Sequence, residues 1–98
     1  MTIHQTVEDS RLTIAPEGRL DTTTAPELEK TLEEAISDVT ELVFDFEKLD
    51  YISSAGLRVL LGAQKIMNTK GSMKITHVGE IINEIFEVTG FTDILTIE

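Results

Sequence analysis

The sequence predicts an α/β fold: a mixed sheet of four to five strands, opened by an antiparallel hairpin and accompanied by three to four helices. Short runs rich in β-branched and aromatic residues, such as Leu42-Val43-Phe44-Asp45-Phe46, read as buried strands. Stretches with apolar residues three and four apart, such as Ala25 to Ile36 and Leu57 to Lys70, read as helices. The two kinds follow one another along the chain. A strand, a helix and a second strand in succession imply a right-handed crossover and parallel pairing. Ninety-eight residues suffice for one core and not two, so a single domain over 1–98 is expected.

Thr2 to Val7 is a modest strand with Ile3, Gln5 and Val7 on one side. Glu8-Asp9-Ser10 turns the chain, and Arg11 to Ala15 returns with Leu12 and Ile14 inward. Pro16 has no N–H for a ladder, which places it near that strand's end. Thr24-Ala25-Pro26-Glu27 has the form of a capping box, and proline is tolerated in a first helical turn. Ala25, Leu28, Leu32, Ala35 and Ile36 form the apolar stripe of that helix, with Glu27, Glu29, Lys30, Glu33 and Glu34 facing water. Ser37 to Thr40 ends it, Glu41 to Phe46 is the buried strand, and Glu47 to Asp50 leads on.

The next helix, from about Ser54 to Lys70, gathers Gly56, Val59, Leu60, Ala63, Ile66 and Met67 on its core face. Leu57 and Leu61 lie to one side, beside Gln64 and Asn68, as half-buried residues or partner contacts. Asn68 to Ser72 is a helix stop with a lysine and a glycine. Met73 to Val78 reads as a strand and Glu80 to Thr89 as a short helix with Ile81, Ile82, Ile85 and Phe86 inward. Ile94 to Ile97 reads as a final short strand.

Composition narrows the function. Hydrophobic content of 41% is that of a globule. No apolar run approaches the ~20 residues of a membrane helix, and Met1 to Gln5 has neither the basic nor the apolar region of a signal peptide. The absence of cysteine removes disulfides and thiolate chemistry and fits a cytoplasmic protein. Net charge is −10, which argues against nucleic-acid and anionic-membrane partners. Residues 51 to 79 contain no acid but carry Arg58, Lys65, Lys70 and Lys74, too few and too spread for a phosphate-backbone patch.

Enzyme readings find little support. His4 and His77 are far apart in sequence, His77 falls within a strand run, and each reads as a surface or packed histidine. Neither a Gly-x-Ser-x-Gly elbow nor a phosphate loop of the Gly-x-x-x-x-Gly-Lys-Ser/Thr type occurs. Asp45 or Asp50 would suit a phospho-accepting aspartate, but the paired acids that hold magnesium in such sites are missing after the first strand. No catalytic residue, cofactor or metal site is expected.

The chain turns on Asp50-Tyr51-Ile52-Ser53-Ser54-Ala55-Gly56-Leu57-Arg58, where a strand end meets a helix start. Ser53 or Ser54 sits where an N-cap belongs, and a serine there is ordinarily only a cap. Ala55 and Gly56 add almost no bulk, so the corner reads as open. A helix N-terminus also offers free amides and partial positive charge, which suit a phosphate. Tyr51 to Leu57, after a buried strand, resembles the phosphorylation loop of bacterial anti-sigma-factor antagonists in the STAS-domain family. That loop reads aromatic-aliphatic-Asp-Ser-small-Gly-Leu. Ser54 falls on the phosphoacceptor, and Ser53 stands where many members have Asp, which leaves Ser53 as second choice. Gly18-Arg19-Leu20-Asp21-Thr22-Thr23-Thr24-Ala25 also resembles the family's Gly-x-Leu-Asp-x-x-x-Ala element, which lies beside that loop.

The resemblance covers nearly the whole chain and implies a STAS-type domain that is a substrate and inhibitor rather than a catalyst. Its partner would be an anti-sigma factor that is also a serine kinase with bound nucleotide. A separate phosphatase would reset it. The partner surface would comprise Asp21, Thr22, Ser53, Ala55, Gly56, Leu57, Arg58 and Leu61. Two other roles belong to the same resemblance: a soluble accessory subunit of a lipid-trafficking transporter, in which Ser54 is only a cap, and a stressosome-like scaffold.

Overall fold

The computed structural model describes residues 1–98 as β1 (Thr2–Glu8), β2 (Arg11–Leu20), α1 (Ala25–Ala35), β3 (Glu41–Asp45), β4 (Leu49–Ile52), α2 (Ser54–Met67), β5 (Ser72–Thr76) and α3 (Glu80–Thr89). β1 and β2 form an antiparallel hairpin. The first half of β2 pairs in parallel with β3, and β3 pairs in parallel with β5. The sheet is therefore ordered β1-β2-β3-β5, with β4 attached to the second half of β2. No helix is long and apolar enough to cross a membrane.

Register explains which residues are buried. Leu12, Leu42 and Met73 lie side by side on three strands, as do Ile14, Phe44 and Ile75, and none is more than 4% exposed. Alternation sends Thr13, Val43 and Lys74 to the other face. Leu28 and Leu32 of α1, Leu60 and Met67 of α2 and Phe86 of α3 join the first set in one cluster of 23 buried side chains. Burying such a side chain contributes about 1.5–3 kcal/mol, so this face holds the sheet and helices together.

The architecture matches the expected mixed α/β sheet with its hairpin, but several local readings are corrected. β2 does not end near Pro16 but runs on to Leu20. Pro16 falls between the segment paired with β3 and the segment paired with β4, where a missing N–H breaks neither parallel ladder. The register then shifts between Gly18 and Arg19, with Gly18 at φ +106°, a backbone that glycine adopts readily. Residues 49–52 are not a lead-in but a strand, because β2 outruns β3 and leaves an edge for them to pair with.

The core face of α2 is rotated from the expected one. Ile66 is 47% exposed, whereas Leu57 and Gln64 are buried at 6% and 8%. Gln64 donates from Nε2 to Asn68 Oδ1 at 2.8 Å, while its Oε1 is buried without a partner. α2 ends at Met67, and Lys70 reaches across to the carbonyls of Ile36 and Ser37, satisfying the end of α1. In α3, Ile81 faces out at 63% exposure while Ile82 and Phe86 point in. The expected last strand reduces to one bridge between Ile97 and Ile75, because Phe91–Asp93 forms a 3-10 turn and Ile94 faces solvent. β5 stops at Thr76, so His77 lies just beyond the strand with φ +55°.

Gly56 sets how closely α2 approaches the sheet. A Cβ there would fall 2.7 Å from Ile52 Cγ1 and from Leu20 Cγ. Overpacking of this kind costs about 1–3 kcal/mol, more than the ~1 kcal/mol that alanine gains over glycine in a helix. Gly62, in the same helix, has no neighbour within 4 Å of its would-be Cβ. Gly56→Ala is expected to lower the urea midpoint and Gly62→Ala to raise it. Equal shifts of the same sign would refute this packing account.

Candidate functional site

The corner between β4 and α2 is fixed by backbone. Ile52 pairs with Leu20 at the ends of β4 and β2, and the Ser53 amide donates to the Leu20 carbonyl at 2.9 Å. Ser53 is extended, with φ −100° and ψ 178°, and its carbonyl accepts from the Leu57 amide at 3.0 Å. Ser53 is thus the N-cap by position, but its side chain makes no capping hydrogen bond. Its Oγ is shut from solvent and has no partner. This corrects the expectation of a hydroxyl cap: the tight seating of the helix start turns the Ser53 side chain inward. Thr24 likewise lacks a capping bond at α1, because its backbone is already helical and its Oγ1 donates to the Arg19 carbonyl at 2.7 Å.

Ser54, the first helical residue, is exposed, and Ala55 is half-buried beside it. Gly56 and Leu57 are buried, so the corner is open only on its outer side. Arg58 is exposed one turn beyond Ser54 and forms no ion pair. Leu61 is half-buried on the following turn.

The segment after β2 is bound to this corner through Leu20. Asp21 accepts at Oδ1 from the Thr23 hydroxyl at 2.7 Å, the Thr23 amide at 3.0 Å and the Thr24 amide at 3.2 Å. The Asp21 amide in turn donates to Thr24 Oγ1 at 2.9 Å. Asp21 is therefore the pin of its own turn, and not a free loop acid. The Thr23 hydroxyl, followed by the Thr23 amide, holds its carboxyl below the ordinary value, aided by Thr24 and opposed by partial desolvation. Arg19 lies with its guanidinium 4.3 Å from the centre of the Tyr51 ring, opposite it in the β2–β4 ladder. That contact was hidden in the sequence, because it requires β4 to be recognised first.

Thr22, Pro26 and Glu29 on one side and Ala55 and Arg58 on the other line a shallow recess of about 220 Å³. Glu29, Arg58 and Val59 also line a groove of about 330 Å³ between α1 and α2, which runs on to Ile66. The fold therefore gathers Thr22, Ala55 and Arg58 into one recess and places Asp21 and Ser53 on either side of Leu20. Leu61 lines neither cavity. The arrangement offers free helix-start amides, an unpaired guanidinium and an accessible hydroxyl, which together suit an anion carried on Ser54.

Fold and site together define a class: an α/β domain with an exposed serine at a braced strand-to-helix corner, opening on a groove between two helices. The chain belongs to the STAS domain family, which it matches over residues 2–98. It is 31% identical over 97 residues to the anti-sigma-B factor antagonist of Staphylococcus aureus, covering 97% of this chain and 90% of that one. It is also similar to the crystal structure of an anti-sigma factor antagonist from Mycobacterium paratuberculosis, with a TM-score of 0.89 and 21% identity over 98% of this chain and 83% of that one. The Bacillus cell fate determinant SpoIIAA, solved in its phosphorylated form, shares the fold with a TM-score of 0.77 and 19% identity, covering 99% and 91% of the two chains.

The Asp21 turn has a pH signature. The folded state binds the charged carboxylate better than the unfolded chain does, so its contribution is complete above the ordinary value of 3.8 and is lost as pH falls through the lowered folded value. Asp21→Ala is expected to reduce the urea midpoint at neutral pH, with the gap to wild type narrowing toward pH ~2 as the carboxyl protonates. A gap independent of pH would show that the charge is not what holds the turn.

Proposed function

We propose that this chain is a phospho-switched anti-sigma factor antagonist and that Ser54 is its phosphoacceptor. Dephosphorylated, it occupies an anti-sigma factor that is also a nucleotide-bound serine kinase, and sigma factor is released. Phosphorylated on Ser54, it lets go, and a phosphatase resets it. It acts by binding, in the cytoplasm where sigma factor works, and not by catalysis. The observation that carries this reading is the contrast between the two serines: Ser54 is exposed at the first turn of α2, whereas Ser53 Oγ is closed off from solvent. A kinase reaches one hydroxyl and not the other. The name of the Staphylococcus aureus relative supports the class of partner, and the phosphorylated SpoIIAA structure supports a phosphorylated state for this fold.

Phosphate on Ser54 adds about −1.5 to −2 charges at neutral pH. It meets the free amides and dipole of α2, worth ~0.3–1 kcal/mol for an anion, with Arg58 one turn away. The fold accepts the group without rearrangement. The partner's surface does not, because the small Ser54–Ala55 surface becomes bulky and dianionic where a nucleotide-bearing protein docks. In this scheme Thr22, Ser54, Ala55, Arg58 and Leu61 touch the partner. Gly56 and Leu57 seat the corner from beneath, and Asp21 and Ser53 position it.

With the cognate kinase and ATP, Ser54→Ala is expected to abolish phosphate incorporation while Ser53→Ala retains most of it, as read by peptide mass spectrometry. The reverse pattern sinks the assignment. Calorimetry of the two forms against the anti-sigma factor is expected to show at least tenfold weaker binding after phosphorylation, or ~1.4 kcal/mol. Equal affinities would rule out the switch.

A further inference from the structure

The helix-free face of the sheet carries a second group of chemically active side chains, outside the serine corner. β3 ends at Asp45, which lies opposite Thr76 at the end of β5. The left-handed backbone of His77 brings its imidazole to Asp45, with Nδ1 2.9 Å from Oδ1. Glu47 follows two residues later, its amide donating to Asp45 Oδ1 at 3.1 Å. One donor atom from each of Asp45, Glu47 and His77 lies within 4.8 Å of the other two. We propose that these three side chains form a binding site for a divalent d-block cation, of which zinc is the natural probe.

The donor set argues for that class of ion. One imidazole nitrogen with two carboxylate oxygens is a ligand set that zinc accepts, with water completing the shell. Calcium and magnesium take oxygen ligands and would leave the imidazole unused. Zinc bonds to such donors run at about 2.0–2.2 Å in tetrahedral geometry, so two ligands on one ion lie ~3.4 Å apart. The three donor atoms lie within 4.8 Å of one another, so binding an ion draws them closer. Glu47 is exposed, so its side chain has room to rotate toward the other two. Neither carboxylate is paired with a lysine or arginine. The His77 ring, against Asp45, is thus the one side chain paired with either carboxylate. Lys48 lines the adjoining recess with His4, Asp45 and Glu47, but its exposed side chain forms no ion pair there.

His4 supplies an internal control. It borders the same recess, yet its Nε2 is engaged by Glu17 Oε2 at 3.2 Å. Calorimetric titration of the tag-free chain with zinc chloride is expected to show one ion bound per chain. His77→Ala and, as a variant at an exposed position, Glu47→Gln are each expected to weaken binding at least tenfold, whereas His4→Ala leaves it unchanged. Cobalt(II) added to wild type is expected to give visible absorption bands that are absent from His77→Ala. Failure of wild type to bind zinc at millimolar concentration overturns the proposal. So does wild-type affinity in both His77→Ala and Glu47→Gln, or loss of binding in His4→Ala.

Discussion

The Ser53 amide donates to the Leu20 carbonyl, and two residues past the helix start Gly56 rests against the side chains of Leu20 and Ile52. Those two side chains are 0% and 1% exposed and close the ends of β2 and β4. The start of α2 is therefore tied to the sheet by a hydrogen bond and by contact without a Cβ between them. Ser54 faces outward because its neighbours cannot. Ser53, Gly56 and Leu57 are committed to the interior, and the chain direction leaves Ser54 and Arg58 on the outer face. The Asp21 turn follows directly from Leu20, so the second motif is held to the first by two paired strand ends and by the Arg19 guanidinium over the Tyr51 ring.

This seating also limits how a modification at the corner acts. The helix start is held to its sheet by a hydrogen bond and by close packing, whereas a conformational switch requires a bistable element. Ser54 itself lies on the surface and outside the buried core, so a charge placed there falls on the exposed side of the corner. The groove between α1 and α2 extends that surface, with Arg58 shared between its two recesses and Ile66 exposed at its far end.

Much of this was legible in the chain. The hairpin, the parallel order and the inward pairs Leu12–Ile14 and Ile82–Phe86 follow from alternation and helical spacing, because burial on one face is what those periods encode. The serine corner and the Asp21 segment were visible as motifs. What escaped the sequence depends on neighbours. β4 exists because β2 outruns β3, and four residues reading Leu-Asp-Tyr-Ile give no periodicity of their own. Ile66 and Leu57 exchange places because sheet and α1 cover different sides of α2, which a helical wheel cannot know. Ser53 has the composition of a cap and the environment of a core residue. His77 reads as a strand residue, and only the left-handed turn after β5 brings it to Asp45.

Hydrogen exchange at the Ser53 and Leu57 amides measures the rigidity of the corner most directly. These donate to Leu20 and Ser53 carbonyls, the two bonds that seat the helix start. Native-state exchange followed by NMR is expected to show both amides protected to the level of the buried strands, in the unmodified chain and equally in the chain phosphorylated on Ser54. Rapid exchange of either amide in the unmodified protein, or loss of protection on phosphorylation, would show a corner that opens locally and would contradict the account.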